Sequence, residues 1–61
     1  MASSVKEIRE NKGLSQLEAA VLAGVALNTW RDWELGKKQS PKSRFKCEAA
    51  TQAMRAALEA A

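Results

Sequence analysis

Ser15–Gly36, SQLEAAVLAGVALNTWRDWELG, decides how the rest of the chain is arranged. Ser15 is placed to cap a helix, with Glu18 three residues on, so that hydroxyl and carboxylate each satisfy one orphan backbone donor. That helix runs to about Ala23. Gly24 ends it, because a left-handed residue past the last turn is easiest without a Cβ. A second helix follows from about Leu27 to Leu35 and stops at Gly36 for the same reason. On it Trp30 and Trp33, three residues apart, share one face and are expected in the core, whereas Asn28, Arg31, Asp32 and Leu35 lie on the other face.

Upstream, Ser4 followed by Glu7 repeats the capping pattern and starts a helix that ends before Gly13, with Val5 and Ile8 as its apolar face. Downstream, KKQSPKSR is a basic loop whose Pro41 suits a first helical position, with Ser40 or Ser43 as the cap. From Phe45 to Ala61 no glycine or proline interrupts FKCEAATQAMRAALEAA, and alanine, Met54, Leu58 and the charged residues favour helix. Cys47, Ala50, Met54, Ala57 or Leu58, and Ala61 fall on one stripe of that helix, placed at about residues 43–61. The expected fold is a small all-α bundle of four to five helices, one domain over residues 1–61, with the helix pair 15–36 at its centre and a long carboxy-terminal helix.

A chain of 61 residues buries only about 60% of the surface that its unfolded form exposes, so the core is marginal. Cys47 is the only cysteine, which excludes an internal disulfide, suits a reducing compartment, and reads as a small half-buried helix residue. No apolar run approaches the ~20 residues that cross a membrane, and no basic-then-apolar leader opens the chain, so a cytoplasmic location is expected. With no histidine, no cysteine pair, no glycine-rich phosphate loop and no clustered carboxylates, the parts for metal ligation, nucleophilic triads and nucleotide hydrolysis are missing. Neither an enzyme nor a cofactor is expected.

The net charge of +3 is unevenly spread. Residues 1–30 balance, with Lys6, Arg9 and Lys12 against Glu7, Glu10 and Glu18, and the last fifteen residues set Arg55 against Glu48 and Glu59. The excess therefore falls between Arg31 and Lys46, where Arg31, Lys37, Lys38, Lys42, Arg44 and Lys46 face only Asp32 and Glu34. A solvated basic loop is the plain reading of such a run. Next to a helix with an outward polar face, phosphate contact is the better one.

Arg9–Lys38, RENKGLSQLEAAVLAGVALNTWRDWELGKK, resembles the lambda-repressor-like (Cro/repressor, XRE-type) helix-turn-helix family, which includes phage repressors, their bacterial relatives and small antitoxins. The resemblance rests on an arginine before the Gly-Leu-Ser-Gln run, Ala20 where the two helices touch, Gly24 in the turn, apolar Val25 and Trp30, and the Glu34-x-Gly36 ending. Ala26 departs from it, since a capping Ser or Thr is frequent there and alanine caps poorly, at a cost of roughly 1 kcal/mol. Ala19 also departs, standing where a larger apolar residue is usual, and the bulk of Trp33 is expected to fill the space. The uninterrupted carboxy-terminal helix is a third departure, because the family usually has two short helices there.

The resemblance implies a sequence-specific regulator of double-stranded DNA, a repressor on a palindromic operator, with the helix Leu27–Leu35 in the major groove and the preceding one across the backbone. Its helix geometry leaves Leu27, Asn28, Arg31 and Asp32 toward base edges. Arg31 suits a guanine and Asn28 an adenine, Leu27 a thymine methyl, and Asp32 a cytosine amine or the orientation of Arg31. Gln16, at a helix amino terminus, matches the family's phosphate-contacting glutamine, and Lys37, Lys38, Lys42 and Arg44 flank the reading helix as further phosphate contacts. The family also implies a structural pair between Arg9 and Glu34.

A homodimer is expected because one small module buries only ~600 to 1,000 Å² on DNA, and the stripe of the carboxy-terminal helix is the expected seam. Leu17 and Val21, one turn apart where the family commonly leaves polar residues, are expected to pack on that helix, with a partner surface as the alternative. The rival to a DNA regulator is a protein-interaction module, an antitoxin that binds its toxin or a repressor-like adaptor, because fold does not settle function.

Overall fold

A computed structural model of the chain, described over residues 4–60, contains four helices: α1 Val5–Asn11, α2 Gln16–Ala23, α3 Leu27–Leu35 and α4 Pro41–Ala60. Each boundary has a local cause. Ser4 Oγ accepts from the Glu7 amide at 3.1 Å and starts α1. Ser15 and Glu18 complete a reciprocal box at α2, with Ser15 Oγ accepting from the Glu18 amide at 3.1 Å and Glu18 Oε1 from the Ser15 amide at 2.9 Å. Those bonds from Ser15, backbone first, hold the exposed Glu18 carboxyl below its ordinary pKa. Gly24 and Gly36 close α2 and α3 in the left-handed region, at φ 76° and 78°.

Ala26 gives α3 no side-chain cap, as its residue type dictates, yet the helix still begins at Leu27. The carboxy-terminal helix starts earlier than residue 43. Ser40 is its cap, accepting from the Ser43 amide at 3.3 Å, and Pro41 is the first helical residue. From there α4 runs unbroken through 20 residues, where the related family usually breaks. Nothing in its sequence stops a helix.

Ile8, Ala19, Ala20, Trp30, Cys47 and Met54 form the core, with Trp30 fully enclosed. Helix α4 packs against α1, α2 and α3, and α2 against α3. Small residues at 19 and 20 let α2 approach the indole of Trp30 closely, and the half-buried Trp33 packs on the same cluster. Truncating a buried tryptophan typically costs ~3 to 5 kcal/mol, so this one ring dominates so small a core.

Two expectations about the surface change. The buried stripe of α4 is Cys47, Thr51 and Met54, flanked by the partly buried Ala50 and Leu58. Ala57 is exposed, and Ala61 lies outside the described residues. Thr51 belongs inside because its hydroxyl is satisfied twice, donating to the Cys47 carbonyl at 2.8 Å and accepting from Trp33 Nε1 at 3.1 Å. Leu17 and Val21 do not pack on α4: they are 58% and 71% exposed. Helix α2 turns its small Ala19 and Ala20 inward, which points 17 and 21 into solvent.

Candidate nucleic-acid interface

Arg9, Gln16, Trp30 and Glu34 come from three helices and meet at one carboxylate. Arg9 Nε and Trp30 Nε1 donate to Glu34 Oε2, the latter at 2.6 Å. Arg9 Nη2 and Gln16 Nε2 donate to Glu34 Oε1 at 3.3 and 3.2 Å. Arg9 Nη1 also donates to the Leu14 carbonyl at 2.8 Å, which holds the α1–α2 turn. The Arg9 and Glu34 side chains are only 8% and 5% exposed. Burial pushes the Glu34 carboxyl toward a higher pKa, but the bonds from Arg9, Gln16 and Trp30 and the Arg9 charge outweigh it, and the net direction is downward.

That network fixes the inner face of α3 and so decides what its outer face presents. Asn28, Arg31 and Leu35 are exposed, and Leu27 is 37% exposed at the first turn. Arg31 shares a shallow hollow of about 240 Å³ with Lys6, Gln16, Glu34 and Leu35. Arg31 and Gln16 therefore open onto the same hollow at the seam between α2 and α3. Gln16 spends one amide hydrogen on Glu34, which leaves the second for a ligand.

Asp32 is placed differently from its neighbours on the helix. It is half-buried at the flank of α3 and faces Lys37, with Oδ1 to Nζ at 3.7 Å, and makes no ion pair with Arg31. It lines a small polar hollow of about 140 Å³ with Thr29, Lys38, Gln39, Ser40 and Ser43. The backbone turns there because Gly36 is left-handed and the Lys37 amide returns to the Asp32 carbonyl at 2.9 Å.

Lys37, Lys38 and Arg44 are exposed and line a cleft of about 420 Å³ with Val5, Trp33 and Gln39, between the start of α1 and the loop before α4. Lys42 is exposed on the first turn of α4, outside that cleft. Among the polar contacts that sequence does not anticipate are Trp30 to Glu34, Trp33 to Thr51, and Gln39 to the Thr29 carbonyl at 2.7 Å. The first was within reach, since Trp30 and Glu34 are four apart on a helix. The other two join segments 18 and 10 residues apart, and no local pattern signals them. Among the described residues no group of three or more metal-ligating side chains is found.

A capped helix amino terminus, a second helix with one locked and one open face, and a basic loop after it define a helix-turn-helix domain built for a polyanion. A model of the helix-turn-helix family matches residues 5–46. The chain thus belongs to the XRE-type, lambda-repressor-like helix-turn-helix family of DNA-binding regulators, a family not generally enzymatic. No curated protein and no solved structure matches it. The matched stretch ends within the second turn of α4, so Cys47, Thr51 and Met54 complete the buried interior from beyond it.

Proposed function

We propose that the chain is a sequence-specific transcriptional regulator, a Cro/repressor-like repressor that binds a palindromic operator as a homodimer in the cytoplasm, with residues 1–61 acting as one domain. The observation that carries this reading is the open face of α3, where Leu27, Asn28 and Arg31 are exposed opposite a face immobilised by Glu34. A rigid helix with a free polar face is what major-groove reading needs. Arg31 and Asn28 supply the donors for guanine and adenine, and Leu27 an apolar contact for a thymine methyl. Asp32 takes the weaker role, since its partner is Lys37. Gln16, Lys37, Lys38, Lys42 and Arg44 hold phosphates, with Gln16 offering its spare amide hydrogen.

The dimer seam moves. Cys47 and Met54 are consumed by the protomer's own core, which leaves the exposed face of α4, with Phe45 74% exposed and the alanines beyond it, for a second copy. Selection of bound duplexes from a random pool, followed by salt titration, tests the reading. Submicromolar, salt-sensitive enrichment of a two-fold symmetric sequence supports it. Sedimentation of the full chain with and without that duplex tests the dimer, and a monomer in both removes it.

One observation favours a second reading. Leu17, Val21 and Leu22 are 58%, 71% and 66% exposed on a single eight-residue helix, more apolar surface than a solvated helix needs. In an antitoxin or adaptor those residues would meet a protein partner. Absence of any selected duplex favours that reading over the repressor.

A further inference from the structure

We propose that Gln39 is a positioning residue that sets the first turn of α3 against the basic loop, so that phosphate contacts made by the loop fix where Leu27 and Asn28 fall on the bases. The inference rests on the proposal that α3 reads DNA. Helix α3 begins without a side-chain cap at Ala26, so the turn carrying Leu27 and Asn28 lacks the usual anchor. Gln39 holds that turn in a different way, at a carbonyl and not at the uncapped amides. Its Nε2 donates to the Thr29 carbonyl at 2.7 Å, and its Oε1 accepts from the Cys47 thiol at 3.8 Å. One half-buried side chain thereby touches α3, the loop and α4 together.

The thiol bond is the weaker of the two, as sulfur donors are, and Cys47 stays a protonated donor because burial raises its pKa. The amide bond to Thr29 fixes position. Gln39 follows directly after Lys37 and Lys38 and precedes the Ser40 cap of α4. A phosphate gripped on either side of it is therefore linked rigidly to α3. Phosphate contacts place a protein on the duplex while base contacts specify the sequence, so a loosened link degrades selectivity before it degrades charge attraction.

The test uses the full chain with Gln39→Met, which keeps length but removes both amide partners, and Gln39→Ala in case the methionine packs badly. Two readouts are taken. In free protein, hydrogen exchange at the Trp30 amide, which bonds to the Ala26 carbonyl at 3.1 Å, is compared with the Ile8 amide, bonded to the Ser4 carbonyl at 3.0 Å. Exchange at Trp30 should accelerate about tenfold in the variants while Ile8 changes little. Affinity for a duplex selected by the parent chain should fall about tenfold, with poly(dI-dC) binding within about twofold and the salt slope unchanged. Equal loss on both DNAs makes Gln39 itself a phosphate contact and overturns the proposal, as does unchanged exchange at Trp30. If the parent selects no duplex, the DNA reading fails on its own, and the exchange comparison alone decides the clamp.

Discussion

Trp30 donates its indole N–H to Glu34 Oε2 at 2.6 Å, one turn along the same helix, so the largest core residue also completes the polar network beneath the open face of α3. The ring buries apolar surface and its one polar atom finds a charged acceptor, which removes the penalty for enclosing it. The same carboxylate receives Arg9 from α1 and Gln16 from α2. Core packing and the orientation of α3 are therefore one feature.

Trp30→Phe removes the N–H together with the five-membered ring of the indole. The lost hydrogen bond to a charged group is worth ~1.5 to 3 kcal/mol, and the cavity left in the core adds to it. In a domain of this size the bond alone is a fall of roughly 6 to 24 °C in melting temperature. Losing a donor also brings the Glu34 pKa back toward its unfolded value, so less stability is lost through this group in acid and the acid limb should be shallower than the parent's. Circular dichroism melts across pH check both, and a variant that melts with the parent sinks the assignment.

Arg9→Ala should be costlier. It leaves Glu34 buried beside two neutral donors and frees the Leu14 carbonyl, and breaking a buried pair typically costs ~3 to 5 kcal/mol. A fall of more than about 12 °C is expected. The acid limb follows from the sign of the shift. Glu34 is held below its ordinary pKa in the fold, so its contribution is complete above the unfolded value of about 4.3 and is lost as pH falls through the folded value. Melting temperature should be level above about pH 5 and fall below about pH 4. Glu34→Gln should start lower and fall less steeply; an equally steep limb would place the titrating group elsewhere.

The helix ends and the helix-turn-helix were legible because their causes are local: Ser15 with Glu18, and Gly24 and Gly36 after the last turns. The Arg9–Glu34 pair was legible only through the family resemblance. What sequence did not show is where side chains from separate elements meet. Thr51 reads as polar and lies inside, because Trp33 needs an acceptor there. Leu17 and Val21 read as packing residues and face solvent, because Ala19 and Ala20 already fill the side of α2 that meets the core. Asp32 reads as groove-facing from helical spacing alone, and the turn after Gly36 brings Lys37 back to it.

Gly36→Ala tests the turn without touching the core. An added Cβ at Gly36 meets nothing within 4 Å, yet φ is +78°. The cost is therefore conformational, ~1 to 2 kcal/mol, and should appear as a lower melting temperature of roughly 4 to 16 °C. Gly36→Asn, which tolerates the left-handed region better, should recover part of it. Equal melting of alanine and asparagine variants would argue against backbone strain as the cause.

Arg31 is placed either to read a base or to hold a phosphate. It is exposed, is not engaged by Asp32, and opens onto the same hollow as Gln16, so its guanidinium is free to make either contact. Sharing a hollow with Gln16, the proposed phosphate contact, favours the backbone, whereas its place on the open face with Asn28 favours the groove, and the groove is the expected outcome because Lys6 in the same hollow already supplies a cation. Arg31→Ala should then cost ~1 to 3 kcal/mol on the selected duplex, relax preference at one position of each half-site, and leave poly(dI-dC) binding almost unchanged. Lys38→Ala provides the contrast: it should weaken all duplexes alike and lower the slope of log affinity against log salt by about one. If Arg31→Ala behaves like Lys38→Ala, lowering the slope and preserving the selected sequence, Arg31 is a phosphate contact and reading falls to Leu27 and Asn28.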